Sequence, residues 1–236
     1  LTSRSGGFHR TDCDRPSSRV SVRRMRRPRA LIAFGLAVVG GAVPASGAIA
    51  ALRLVSRSDS GANPGGTVSV SGVSGDGSRI AFTSADALAG PATGGVRQLY
   101  VRDIVSGRTL LASRTRAGQP ANAAVDARSA DTQGPSLSSD GRFAVFTSTA
   151  SNLVAGDDDG GLRDVFRADL ATGAVRLAST GDTGGLSTFA VDEGADMSGD
   201  GARIVYSRVG TAGGRELVVR DLLRGADLAV ERLDVR

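Results

Sequence analysis

The sequence predicts an all-β chain in which four-stranded antiparallel blades stack as a β-propeller, three blades plus one outer strand. Three observations carry that expectation. The tetrapeptide Ser-x-Asp-Gly recurs at 74–77, 138–141 and 198–201. Each copy runs into an apolar strand: Arg79-Ile80-Ala81-Phe82, Phe143-Ala144-Val145-Phe146 and Arg203-Ile204-Val205-Tyr206. A second motif, Asp-(Leu/Ile)-x-x-Gly, then follows from Asp103 to Gly107, Asp169 to Gly173 and Asp221 to Gly225.

The chain opens on polar, Arg-rich text. Residues 1–24 read as a segment upstream of the natural start, or as disorder. From Met25 the text becomes a secretory signal over 25–50: Arg26, Arg27 and Arg29, then 14 residues without a polar side chain (30–43), then Pro44 and small residues. The apolar run is shorter than the roughly 18–20 residues that span a bilayer, so export is the primary expectation and an uncleaved membrane anchor the alternative.

The propeller region is 51–236. Leu52-Arg53-Leu54-Val55-Ser56-Arg57 has the pattern of the fourth strand of the later copies, and predicts a lone outer strand over 52–57. Blades follow at about 68–114, 135–180 and 194–233. Within each, Asp-Gly marks a hairpin: Gly77, Gly141 and Gly201 take φ > 0 without steric strain, and Asp76, Asp140 and Asp200 hydrogen-bond the local backbone. Asp103, Asp169 and Asp221, with Gly107, Gly173 and Gly225, mark the turn from third to fourth strand. Strands such as 143–148 are apolar on both faces, as expected of sheets packed on both sides. The connector 115–134 reads as surface loop. A Val at Gly141 should cost on the order of 1–3 kcal/mol, and one at Gly118 in the connector much less.

A four-stranded sheet cannot bury both faces alone, so the units stack. The Asp-Gly positions 76, 140 and 200 set a period longer than the roughly 40–45 residues of a typical propeller repeat. The excess lies in the loop from second to third strand, where Leu88-Ala89-Gly90 corresponds to Leu153-Val154-Ala155-Gly156. Three blades fall short of the usual four to eight. That favours a fragment of a longer protein, or self-association, and leaves Phe82 and Tyr206 on exposed end faces.

Ser-x-Asp-Gly-x-x-(Ile/Val)-x-(Phe/Tyr), followed by a strand and Asp-Leu-x-Thr-Gly, resembles the WD40-like repeat of TolB-type propeller proteins. The resemblance covers about 52–236. The α/β domain that precedes the propeller in TolB is absent, so it extends to the propeller module and not to that protein's role.

The chemical inventory is restrictive. The whole chain is +5, but residues 1–29 hold nine Arg against Asp12 and Asp14, leaving 20 Arg against 22 acids beyond them. Nucleic-acid binding loses its main support. Beyond residue 29 there is no His, Cys, Lys or Trp, which removes the usual triads, thiol nucleophiles, Lys bases and N/S zinc sites. The one concentrated acidic site is Asp157-Asp158-Asp159-Gly160 with Asp164, a candidate for Ca²⁺ and, more simply, a solvated turn. No other cofactor is implied. Arg102, Arg167 and Arg220 fall near the ends of third strands, where pairing with Asp outweighs binding as their role.

Two functions follow. The first is a non-catalytic scaffold, exported to the cell envelope, periplasm or exterior, that binds a protein, peptide or glycan and meets membrane only through its signal. The alternative is the propeller portion of a prolyl-oligopeptidase-like serine peptidase, whose similar repeats filter access to a hydrolase domain outside this chain.

Overall fold

The computed structural model describes residues 53–127, 134–157, 161–179, 191–209, 214–224 and 226–233, with backbone only for 192–193 and 226–233. The signal at 25–50, Leu52, Asp158, Asp159 and Gly225 lie outside the described residues.

Among the described residues twelve strands form three four-stranded antiparallel sheets, each a blade in simple meander order. Blade 1 is β1 (Val68–Val73), β2 (Arg79–Ser84), β3 (Gln98–Asp103) and β4 (Thr109–Leu111). Blade 2 is β5 (Ser136–Leu137), β6 (Phe143–Ser148), β7 (Asp164–Asp169) and β8 (Ala174–Leu177). Blade 3 is β9 (Val191–Met197), β10 (Arg203–Val209), β11 (Arg215–Asp221) and β12 (Ala226–Leu233). No helix among the described residues is long and apolar enough to cross a membrane.

The period-2 alternation of strand side chains places two apolar sets on opposite faces of blade 2. Ala144, Phe146, Phe166 and Ala168 pack against Ala81, Leu99 and Val101 of blade 1. Val145, Val165 and Ala178 pack against Ala195, Ile204, Tyr206 and Val218 of blade 3. Matching registers put aromatic pairs opposite each other: Phe82 with Tyr100, ring centroids 5.9 Å apart, and Phe146 with Phe166, 5.5 Å apart. Each such pair contributes about 0.5–1.5 kcal/mol beyond its buried area.

Several expectations are corrected. Phe82 and Tyr206 are 1% and 3% exposed, not on open faces. Tyr206 lies in the seam between blades 2 and 3. Phe82 is covered by its own β2–β3 loop, which seats Leu88 on it and ties back where the Tyr100 hydroxyl donates to the Asp86 carbonyl (2.7 Å). The long inserted loop therefore serves as cover for an apolar blade face.

The connector after blade 1 runs along the surface over much of its described part, with Arg116, Ala117, Gln119, Asn122 and Ala124 exposed, but two of its residues are anchored inside. Val125 and Ala121 are fully buried between blades 1 and 2. Burying loop backbone requires partners. Gln98 supplies them, donating through Nε2 to the Ala121 carbonyl (2.9 Å) and accepting from the Ala121 N–H (3.1 Å). The Val125 N–H donates to the Arg97 carbonyl and the Asp126 N–H to that of Thr147.

Residues 53–57 form no strand. Local turns take up the segment instead, the Arg57 N–H reaching the Val55 carbonyl and the Ser58 N–H that of Ala62. Side chains rather than a backbone ladder then join it to β4: the Thr109 hydroxyl donates to the Arg57 carbonyl, and the Thr109 N–H to the Asp59 carboxylate.

Candidate functional site

Ser-x-Asp-Gly has one geometry in all three blades. The Ser hydroxyl donates to the Asp carboxylate at 2.6, 2.6 and 2.5 Å in the Asp76, Asp140 and Asp200 copies. The same carboxylate accepts the N–H of Ser78, Arg142 or Ala202, and the Ser oxygen accepts that of Arg79, Phe143 or Arg203. Gly77, Gly141 and Gly201 sit at φ of 70, 66 and 68°. These donors hold each of the three carboxyls below the usual carboxylate range, the Ser hydroxyl first and the backbone N–H next.

The second turn repeats as closely. Asp103 accepts the Ser106 N–H, Asp169 that of Ala171, and Asp221 those of Leu223 and Arg224. Gly107 and Gly173 are left-handed, at φ of 68 and 74°. The N–H groups of Ile104, Leu170 and Leu222 reach the carbonyls of Ser78, Arg142 and Ala202, tying the second turn to the first. All six repeated Asp residues are thus held by their own turns.

The turns also join blade to blade. The Asp76 N–H donates to the Ser139 carbonyl (3.0 Å), and the Ser139 N–H to the Gly199 carbonyl (2.7 Å). A side-chain clasp reinforces each seam. Arg79 donates through Nη1 to the Gly141 carbonyl of blade 2 (2.9 Å), and Arg167 through Nη1 to the Gly201 carbonyl of blade 3 (2.7 Å). The two arginines reach equivalent carbonyls from different strands. Register places Phe143 where blade 1 has Arg79, and Arg167 where blades 1 and 3 have Val101 and Val219. Blade 2 has moved its cation one strand outward and put an aromatic ring in the vacated place.

Both exchanged residues line a cleft of about 510 Å³ between blades 2 and 3. Phe143 forms its floor, with the guanidiniums of Arg167 and Arg142 over the ring at 4.4 and 4.8 Å from its centroid. Arg142 is held by Asp169 through two hydrogen bonds, at 2.9 and 3.4 Å. Burial pushes the Asp169 carboxyl up, but Arg142 and the N–H groups of Ala171 and Thr172 outweigh it and leave it below its ordinary value. Arg167 and Arg176 stand directly opposite across β7 and β8. Burial, and next the Arg176 charge, push the Arg167 guanidinium down. Arg167 Nε is buried without a hydrogen bond. On the blade 3 side the cleft meets Asp200, Ala202 and the 81%-exposed Leu223. A second depression of about 760 Å³ shares Arg176 and adds Arg114 and Arg116.

The acidic loop has a different outcome. Asp164 is buried at the start of β7, where it accepts the Ser179 hydroxyl while the Ser179 oxygen accepts the Val165 N–H. Blade 1 builds the same arrangement with Gln98, Ser113 and Leu99. A neutral amide fills this position in one blade and a carboxylate in the next, so its shared task is to accept a hydrogen bond. Asp157 is buried as well. Among the described residues no group of three or more His, Cys, Asp or Glu is placed to hold a metal.

The three arginines grouped by sequence also separate. Arg102 and Arg220 share one register position, while Arg167 lies one residue earlier in its strand, on the opposite face. Arg102 donates to the Thr109 hydroxyl (2.8 Å), and Arg220 is buried. The shared motifs assign no binding role to Arg142, Phe143, Arg176 or Leu223. The usable signal was the pair of departures in blade 2, Phe for Arg at 143 and Arg for Val at 167.

No protein-family model matches the sequence, and no curated protein matches it. Among solved structures, the chain is similar to TolB from Acinetobacter baumannii, with 18% identity and a TM-score of 0.41 over 72% of this chain and 33% of that one. It is similar to the β-propeller domain of the Trilobed protease from Pyrococcus furiosus, with 11% identity and a TM-score of 0.41 over 71% and 43%. A protein assigned as TolB in Agrobacterium tumefaciens gives 17% identity and a TM-score of 0.43 over 70% and 48%. The chain spans less than half the length of each of these structures. The likeness is one of fold, to TolB and other β-propellers, and the blades themselves rest on the strand registers described above.

Proposed function

We propose that this chain is an exported, non-catalytic β-propeller module that binds a protein or peptide at the cleft between blades 2 and 3. One observation carries the reading. Every repeated Asp is engaged in its own turn, whereas the cleft sets Phe143 and Arg167, which break the repeat, beside the exposed side chains of Arg176 and Leu223, with turn residues such as Asp169 and Asp200 along its edge. Rigid repeats supporting one irregular concave surface are suited to recognition. Export rests on the basic, apolar and small-residue order of 25–50.

A peptide library displayed on phage, selected against the immobilised chain, tests this. Selected peptides should lose binding to the Leu223→Asp and Arg176→Glu variants. Sequences that bind both variants as well as the parent would remove the cleft from consideration, and a failure to select any would remove the binding role.

A further inference from the structure

We infer that the cleft is a carboxylate site, which takes the acidic side chain of a partner polypeptide between Arg167 and Arg176; this rests on the binding reading above. Like charges directly opposite on neighbouring strands oppose each other. A sequence that keeps such a pair with no carboxylate hydrogen-bonded to either has left the place of the acid open. Asp169 fills it only in part: its charge acts on Arg167, but its hydrogen bonds go to Arg142 and to the N–H groups of Ala171 and Thr172. Asp200 does not fill it, being held by Ser198 and the Ala202 N–H. Arg167 spends one donor on Gly201 and keeps a buried Nε without an acceptor. Arg176 is exposed, with no carboxylate partner among the described residues.

Charge and shape then choose among oxyanions. Three arginines against Asp169 and Asp200 leave the lining at +1, which matches a carboxylate better than a dianionic phosphate, and a planar guanidinium fork matches a carboxylate geometrically. An acidic sugar would need an open aromatic face, but two guanidiniums cover the Phe143 ring and Gly201 crowds it. The second depression continues past Arg176 to Arg114 and Arg116, so an extended acidic peptide could engage both.

The test is titration calorimetry on the purified chain at low salt with a capped peptide of alternating Glu and Ala. Its Gln counterpart, inorganic phosphate and glucuronate are the comparison arms. The Glu peptide should bind and the Gln peptide should not. Arg176→Gln should weaken the Glu peptide about tenfold, or about 1.4 kcal/mol, without altering the melt of this exposed position. Arg167→Gln should do the same where its melt shows a folded protein. Equal binding of the Glu and Gln peptides, indifference to Arg176→Gln, or tighter binding of phosphate or glucuronate would each overturn the assignment. Library peptides that need Leu223 but carry no acid would leave the binding reading standing and sink the carboxylate. No binding of the Glu peptide together with no library sequence selected would sink both readings.

Discussion

Arg167 donates to the carbonyl of Gly201 across the seam between blades 2 and 3, at 2.7 Å, and so does from the third strand what Arg79 does from the second in blade 1. The bond is kept while its donor is relocated. Arg167→Val should therefore cost about 1.5–3 kcal/mol, the range of a hydrogen bond to a charged group. Adding Phe143→Arg restores the blade 1 arrangement and should recover part of the loss. A double-mutant cycle in denaturant should give a favourable coupling of about 1 kcal/mol; additive losses would mean the two positions are independent.

Glycines in the turns separate backbone strain from crowding. Gly141 is left-handed, and a Cβ there would lie 2.9 Å from Arg79 Cδ. Gly118 also proves left-handed, at φ 81° in the turn closed by Thr115 and Gln119, but open space surrounds it. Both glycines therefore carry the φ strain, and only Gly141 adds a clash, so the smaller cost expected at Gly118 rests on its open surroundings. Gly65 has neither. Ala at Gly141 should be the most damaging, Ala at Gly118 should cost about 1 kcal/mol, and Ala at Gly65 should fall within about 0.5 kcal/mol. Chemical melts of the three variants should give that order.

Acid should loosen the turns together. Asp76, Asp140 and Asp200 ionise more readily folded than unfolded. Their contribution is present above the unfolded value of about 3.9, and is lost as pH falls through the lower folded values. The melting temperature should drop on acidification below about pH 4. Replacing Ser74, Ser138 and Ser198 by Ala together should make that drop shallower, as read from melts between pH 2 and 7. Parallel curves would place the acid sensitivity elsewhere.

At Asp164 the comparison with Gln98 gives a direct test. Asp164→Asn keeps an acceptor for the Ser179 hydroxyl and should change stability by less than about 1 kcal/mol, whereas Asp164→Ala strips it and should cost about 1–3 kcal/mol. Thermal melts of both variants, with and without calcium, would show it. A calcium-dependent shift that Asp164→Asn abolishes would instead make this residue a metal ligand.

The blades were legible because their signals are local. A left-handed Gly, a short acid and a hydroxyl two residues before it are each required by the turn they form, so the text repeats when the turn does. Residues 53–57 misled because a strand-like pattern carries no information about its partner, and nearby turn residues with Asp59 and Thr109 supplied a different set of hydrogen bonds. The anchoring of the connector was hidden because it rests on two small residues, Ala121 and Val125, and the burial of Ala121 depends on an amide from β3, 23 residues earlier. The cleft was hidden for a third reason. Alignment of repeats reads what the copies share, and Phe143 and Arg167 are informative only where they differ.

The seams themselves have a consequence for how such a chain can lengthen or shorten. Blade 2 carries both halves of a joint: the guanidinium of Arg167 for blade 3 and the carbonyl of Gly141 for blade 1. Loss or duplication of blade 2 as an entire unit would therefore leave a guanidinium facing a glycine carbonyl at each remaining joint. Relocation of the guanidinium in blade 2 shows that the joint survives even when its donor changes strand, which frees the position it left for a use of its own.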